Sequence, residues 1–258
     1  MHFLRRGALL VRVIRNISNW HIYLLDFFRL FPRGKRIVYR FRNGMKITVR
    51  GGMADRWILN EVVLRNTYFP PEFSLPDDSV MVDIGAHIGT FALLAAKKYP
   101  KGRVFACEPN PDNFAMLVEN VRINGFHNLK AINKAVADTS GTRTFFINKD
   151  DSDRHTLVKD FAVHEHDSLT VETISMNDLM RDEHIERVDL LKIDCEGAEY
   201  EILNEKNGQF LDRTRQIIIE IHNLDAAHSK KDLIAWIEKK GFRVYGADKG
   251  VSYFIKSQ

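Results

Sequence analysis

Cysteine is scarce in this chain. Its 258 residues hold two, Cys107 and Cys195, and neither sits in a CxxC or Cys/His zinc spacing. A disulfide framework and a structural zinc site of ordinary spacing are thereby excluded, and a reducing, cytoplasmic setting is expected. Long apolar runs are also missing: no stretch offers the roughly 20 uninterrupted apolar residues of a membrane span. No Lys/Arg block stands alone, and the net charge is only +4, so nucleic acid is not an expected partner. There is no internal repeat and no low-complexity segment.

What the sequence does hold is 45% hydrophobic residues, enough for the core of one large α/β domain. The first 31 residues are apolar and begin with Arg5 and Arg6. Arg12 and Arg15 interrupt the run and no small-residue cleavage site follows, so a signal peptide is not expected. At 100° per residue, Arg5, Arg12, Arg15, Asn16, Asn19, Asp26 and Arg29 fall in a sector of roughly 140°. One amphipathic helix is expected here, packed on the domain or on a homodimer partner. Peripheral contact with an anionic membrane surface is the second reading.

Residues 37–50 predict a hairpin whose strands meet at Asn43-Gly44, a dipeptide suited to a type I′ turn. A helix is expected over residues 54–66. From residue 80 onward strand and helix alternate: strands at 80–84, 103–107, 129–133, 188–193 and 216–221, helices at 90–99, 112–124 and 225–240. Residues 142–147 predict a further extended piece, and the polar stretch 148–168, with His155, His164 and His166, a long loop. The last pair of strands, 242–245 and 251–255, has too short a connection for a parallel crossover and must be antiparallel. The division expected is an N-terminal helical and hairpin extension over 1–75 and an α/β domain over 76–258. That domain is a doubly wound, mostly parallel sheet with a C-terminal antiparallel hairpin, which nicotinamide-binding domains normally lack.

Ligands of such sheets bind at the carboxyl ends of the strands, and the chemistry-bearing residues cluster there. The first strand runs into Asp83-Ile84-Gly85-Ala86-His87-Ile88-Gly89. Gly85 permits a tight turn, and Gly89 is expected to let the chain pass close to a ligand. The spacing is GxxxG, not the GxGxxG that cradles a pyrophosphate, and His87 and Ile88 carry side chains where that motif has bare backbone. A nucleoside with a short amino-acid arm fits better, its ammonium within reach of Asp83. The second strand ends in Cys107-Glu108-Pro109-Asn110. Glu108, 19 residues past Gly89, is placed to bridge ribose hydroxyls, with Asn110 beside it. After the third strand, the small residue Ala135 would let an adenine lie flat, and Asn133 or Asp138 could reach a ring nitrogen. The fourth strand ends in Lys192-Ile193-Asp194-Cys195-Glu196, and the fifth in Glu220-Ile221-His222. Glu220 and His222, two apart, share one side of their strand.

These residues resemble the FkbM family of S-adenosylmethionine-dependent methyltransferases, from about residue 42 to the C-terminus. The most specific pieces are residues 82–89, Glu108-Pro109 and the string Lys192-Ile193-Asp194-Cys195-Glu196-Gly197-Ala198-Glu199. Asn43-Gly44, Arg50, Asp55, Glu61 and Tyr68 match the usual lead-in. Two departures are His87, where Asn is commoner, and Asn177, where Asp is often found. The resemblance implies a Rossmann-like methyltransferase fold and O-methylation of a hydroxyl on a saccharide, lipid-linked or natural-product acceptor. S-adenosyl-L-methionine is then expected at Asp83, Gly85, Ala86, His87, Gly89, Glu108, Asn110, Asn133, Ala135 and Asp194. Asp194, Glu196, Glu220 and His222 are the candidate acid–base groups, with Lys192 as orienter. No dedicated metal-ligand spacing exists, so no metal is assigned; a cation shared by Asp194, Glu220 and His222 is the weaker reading. The rivals are a nicotinamide oxidoreductase on the same sheet and a catalytically inactive cofactor-binding scaffold at a membrane surface.

Overall fold

The computed structural model describes residues 2–69, 74–148, 155–159, 167–223, 228–248 and 250–257. The N-terminal stretch is two helices, which corrects the single helix expected. α1 (His2–Asn16) and α2 (Trp20–Phe27) part at Ile17, which bridges to Phe41. Short polar side chains make the break. Ser18 Oγ donates to the Arg40 carbonyl at 2.9 Å. Asn19 donates to the Val38 carbonyl at 2.9 Å and accepts from the Arg40 amide at 2.8 Å. Such bonds offer the backbone an alternative to continued helix.

Those partners lie on or next to β1 (Arg36–Arg40), which pairs antiparallel with β2 (Lys46–Arg50). The connection is not the two-residue type I′ turn expected. Gly44 is left-handed at φ 87° but Asn43 is not, and the Phe41 amide donates to the Met45 carbonyl at 2.8 Å. The loop is therefore residues 42–44. α3 (Asp55–Leu59) follows and widens into a π-helical turn, Asn60–Leu64.

The α/β part runs β3 (Val80–Ile84), α4 (Thr90–Lys98), β4 (Arg103–Cys107), α5 (Pro111–Asn124), β5 (Leu129–Ile132), β6 (Ala135–Ala137), β7 (Gly141–Ile147) and β8 (Asp167–Ser175). It continues with α6 (Met176–Asp182), β9 (Leu190–Ile193), α7 (Glu199–Ile202), a 3₁₀ turn at Gly208–Arg213, β10 (Gln216–Glu220), α8 (Lys230–Lys239), β11 (Phe242–Asp248) and β12 (Val251–Lys256). Seven strands form one sheet in the order β11-β12-β10-β9-β3-β4-β5. β10 through β5 are parallel, and β12 is antiparallel to both β10 and β11. This is the doubly wound sheet with terminal hairpin that the pattern predicts, with β12 inside and β11 at the edge. α8 starts at Lys230 under a Ser229 cap; residues 225–227 of the helix expected over 225–240 lie outside the described residues.

A second sheet, ordered β6-β8-β7, is not foreseen as a sheet, although its β7 stands at the extended piece expected over 142–147; β6 has three residues, too short for a pattern. β7 and β8 flank the polar stretch expected as a loop over 148–168; residues 149–154 and 160–166, with His164 and His166, lie outside the described residues. Apolar side chains fill both faces of the main sheet, Leu93 and Leu117 on one and Leu179, Phe210 and Ile237 on the other. Val13, Tyr39 and Leu59 of the N-terminal extension belong to the same buried cluster as Leu93 and Leu117. Among the described residues no helix is long and apolar enough to cross a membrane.

Candidate active site

The carboxyl ends of β3, β4, β9 and β10 open on one cleft of about 480 Å³, a volume within the range of small-molecule sites. Gly85 makes the closure possible. Its φ is 76°, and a Cβ there would collide with the Asp194 carbonyl, so only glycine lets the β3 and β9 tips meet. Gly89, also left-handed at φ 88°, serves the packing instead, because its missing Cβ faces the Leu117 side chain. Its room is made for α5 and not for a ligand.

Of the residues predicted to hold a cofactor, Gly85, Ala86, His87, Glu108, Ala135 and Asp194 line the cleft. Asp83, Gly89, Asn110 and Asn133 stand behind it. Asn110 caps α5, its Oδ1 accepting the Asp112 and Asn113 amides at 2.9 and 3.1 Å. Asn133 Nδ2 donates to the Glu108 carbonyl at 2.8 Å. Both hold the turn that carries Glu108. Asp138 lies 3.5 Å from Arg143 in an ion pair.

Glu108 is buried and joins two tips: Oε2 accepts the His87 amide at 2.7 Å and Oε1 the Asn110 amide at 2.9 Å. A carboxylate has about four lone-pair positions; the Asn113 side chain also bonds Glu108, which leaves capacity for one hydroxyl of a ligand. Burial pushes its carboxyl up to about 7, against the pull of those amides. His87 is set by Arg50, whose Nη2 lies 3.2 Å from His87 Nε2, 2.8 Å from Asp55 Oδ1 and 2.7 Å from Asn113 Oδ1. Burial pushes the imidazole down to about 4, Asp55 opposing and Arg50 assisting, so His87 is neutral at pH 7. Asp55 Oδ1 also lies 3.4 Å from His87 Nε2, so the ring is held at Nε2 and its other nitrogen is Nδ1. That Nδ1 and Thr90 Oγ1 are buried without hydrogen-bond partners, and both residues line the cleft.

Lys192 is the buried cation between the two ends of the cleft. Its Nζ lies 3.0 Å from Asp83 Oδ1, 3.6 Å from Asp194 Oδ2 and 2.8 Å from the Gly85 carbonyl. Burial works against its charge, but Asp83 and Asp194 outweigh burial and hold the ammonium above its ordinary range. Asp83 is thus a partner of Lys192 inside the fold.

At the other end, Asp194, Glu196, Glu220 and His222 all line the cleft. His222 Nδ1 lies 3.0 Å from Glu199 Oε1 and its Nε2 3.6 Å from Glu196 Oε2. Burial draws the His222 imidazole down, but the Glu199 hydrogen bond and the Glu199, Glu196 and Asp194 charges push it up to about 9. Burial, then the Asp194 charge, pushes Glu220 up to about 7. The sequence pattern did not single out Glu199, Thr90 or Asn113 for the site. Trp57, Glu61 and Tyr68 also line the cleft, as do Asn148, His155 and Leu157. The GxxxG spacing points only to the backbone of its own turn, so residues brought in from the extension and the second sheet carry no local signal. The family lead-in was the only hint of Glu61 and Tyr68.

Residues 83–244 match the family model of the methyltransferase FkbM domain. Methyltransferase sdnD of Sordaria araneosa is 28% identical over 66% of this chain and 76% of that protein. The 31-O-demethyl-FK506 methyltransferase FkbM of Streptomyces tacrolimicus is 26% identical over 80% of this chain and 88% of its own. The hexuronic acid methyltransferase AglP of Haloferax volcanii is 31% identical over 57% of each chain.

Proposed function

From the premise that this chain belongs to the FkbM methyltransferase family, we propose that it moves a methyl group from S-adenosylmethionine to a hydroxyl of a saccharide or natural product. One observation carries the reading. The Glu108 tip and the Asp194, Glu220 and His222 tips open on a single cleft, so a nucleoside site and an acid–base site share one space. S-adenosylmethionine supplies a methyl on a positively charged sulfur, open to in-line attack by an oxygen.

The residues present fit that cofactor. Glu108, bonded by the His87 and Asn110 amides and by the Asn113 side chain, has a lone pair left for a ribose hydroxyl. Ala135 and Val136 offer a flat, small-side-chain wall to a ring. Thr90 Oγ1 and His87 Nδ1, without hydrogen-bond partners among the described residues, supply polar atoms to the amino-acid arm. A dinucleotide fits less well, because His87 and Ile88 fill the turn where a pyrophosphate needs bare amides. On the acceptor side the protein mainly aligns an oxygen with the methyl, and Glu220 and His222 are placed to receive its proton. Trp57, Glu61 and Tyr68 from the extension line the same cleft and shape the acceptor pocket.

The Streptomyces FkbM is named for a 31-O position, which supports an oxygen acceptor, and AglP for a hexuronic acid, which supports a saccharide. The experiment is transfer of labelled methyl from S-adenosylmethionine to a panel of glycans, hexuronic acids and polyketide alcohols. Transfer to none of them, by protein that binds the cofactor, favours an inactive scaffold. Phe28 and Leu30, each 66% exposed, flank Arg29 near Arg33, which supports peripheral contact with anionic lipid. Flotation with phosphatidylglycerol vesicles tests that contact; protein that stays at the bottom of the gradient contradicts it.

A further inference from the structure

The acceptor end of the cleft gathers more acid than proton transfer needs. Asp194, Glu196 and His222 each offer one ligand atom, and the three atoms lie within 4.8 Å of one another. They come from two neighbouring strand tips: Asp194 just after β9, Glu196 two residues on in the turn at φ 50°, and His222 just after β10. Glu220, the third member of the weaker sequence reading, is not in the group; Glu196 takes its place. Two carboxylate oxygens and one imidazole nitrogen form a donor set suited to a divalent cation such as Mg²⁺ or Mn²⁺.

His222 is prepared as ligand histidines are. Its Nδ1 is held by Glu199 at 3.0 Å, which leaves Nε2 facing Glu196. A histidine that ligates through one ring nitrogen almost always gives the other to a carboxylate or carbonyl. A separate observation lies outside the trio. Glu199 has no exposed surface, and its second oxygen, Oε2, is buried without a hydrogen-bond partner. A half-satisfied buried carboxylate beside the cluster is costly unless a further positive or donating group completes it. Lys192 does not complete it: its short contacts go to Asp83 and the Gly85 carbonyl at 3.0 and 2.8 Å.

We propose that Asp194, Glu196 and His222 bind a divalent cation, and that the cation receives an acceptor with two neighbouring oxygens, a vicinal diol or a hydroxy acid. The proposal rests on the methyl-transfer reading above. Three protein ligands leave about three of six positions open, enough for two acceptor oxygens and a water. Glu220, in the same wall but outside the ligand set, takes the hydroxyl proton. The oxygen's electron pair then forms the new C–O bond, and the C–S pair returns to sulfur. The products are a methyl ether, the neutral thioether S-adenosylhomocysteine and a protonated Glu220, so charge and atoms balance.

The test is Mn²⁺ binding to the full chain loaded with S-adenosylhomocysteine, read from the electron paramagnetic resonance signal of the unbound ion. We expect one Mn²⁺ per chain, displaced by Mg²⁺. Glu196→Gln and His222→Ala should each weaken it about tenfold or more, with unchanged circular dichroism and with S-adenosylhomocysteine affinity kept within about threefold. No saturable binding up to about 10 mM Mn²⁺, beyond the weak end of protein cation sites, overturns the site. So does binding that both variants leave unchanged. Protein that binds S-adenosylhomocysteine but not Mn²⁺ leaves methyl transfer standing without the metal. Protein that binds neither overturns both readings.

Discussion

Glu199, with no exposed surface, holds His222 Nδ1 at 3.0 Å. The contact fixes which ring nitrogen faces the cleft and ties α7 to the end of β10. In metal-free Glu199→Gln, which keeps an acceptor but loses the charge, His222 should titrate well below about 9, toward 6.5. Histidine NMR reads this directly. Because the folded value is raised, the pair's stabilisation is fully present below pH 6.5 and lost as pH rises through about 9. The stability gap between parent and variant should therefore narrow across that window. An unmoved His222 titration would mean that Glu199 does not set its charge.

Glu108 makes cofactor binding depend on pH. Ribose hydroxyls donate to the ionised carboxylate, which buried Glu108 reaches only at about pH 7. Affinity for S-adenosylhomocysteine should rise about tenfold from pH 6 to pH 8, the change in ionised fraction about that value. Glu108→Gln should flatten this profile and weaken binding by about 1–3 kcal/mol. Without ligand the sign reverses: the folded chain holds the Glu108 proton more tightly, so that stabilisation is complete below 4.5 and lost as pH rises through about 7. Calorimetric titrations at three pH values on both proteins decide it; a slope that persists in Glu108→Gln assigns the effect elsewhere.

The two glycines of the turn should respond differently. Gly85→Ala drives a methyl into the Asp194 backbone, which cannot move without shifting β9. Gly89→Ala meets the flexible Leu117 side chain. For Gly89→Ala we expect a loss of about 1–3 kcal/mol, mainly the left-handed backbone penalty. For Gly85→Ala we expect a larger loss together with loss of cofactor binding. Equal melting temperatures in the two variants would contradict this division.

Lys192 holds the β3 and β9 tips in one electrostatic unit. Lys192→Met leaves Asp83 buried without its cation and should cost about 3–5 kcal/mol. Adding Asp83→Asn to Lys192→Met should recover part of that loss. Urea denaturation of the four proteins of the cycle measures the coupling, and strictly additive losses would show that the pair does not act together.

Much of this arrangement was legible in the sequence because buried parallel strands are short apolar runs closed by glycine or charge. Runs such as Val80–Ile84 and Arg103–Cys107 stand at the strands predicted for them, and β9 beside β10 brings Asp194 and Glu220 to one edge. What failed to show depends on distant partners. The break at Ile17 needs the backbone of β1 to receive Ser18 and Asn19. Gly89 looks like a ligand-facing glycine until Leu117 appears opposite it. Asn110 and Asn133 read as ligand contacts by position, but the backbone they brace is nearer to them than the cleft. Glu199 stands in the sequence only as the end of the family's string, and only the fold puts His222 against it.

On the methyl-transfer reading, the cleft beside Gly85 and Glu108 is the site for S-adenosylmethionine. Isothermal titration calorimetry of the full chain with S-adenosylhomocysteine, with NAD⁺ in a parallel run, tests it most directly. Saturable one-to-one binding of S-adenosylhomocysteine is expected, weakened about tenfold or more by Glu108→Ala, with no saturation by NAD⁺. Absence of S-adenosylhomocysteine binding by the folded protein, or tighter binding of NAD⁺, would contradict it.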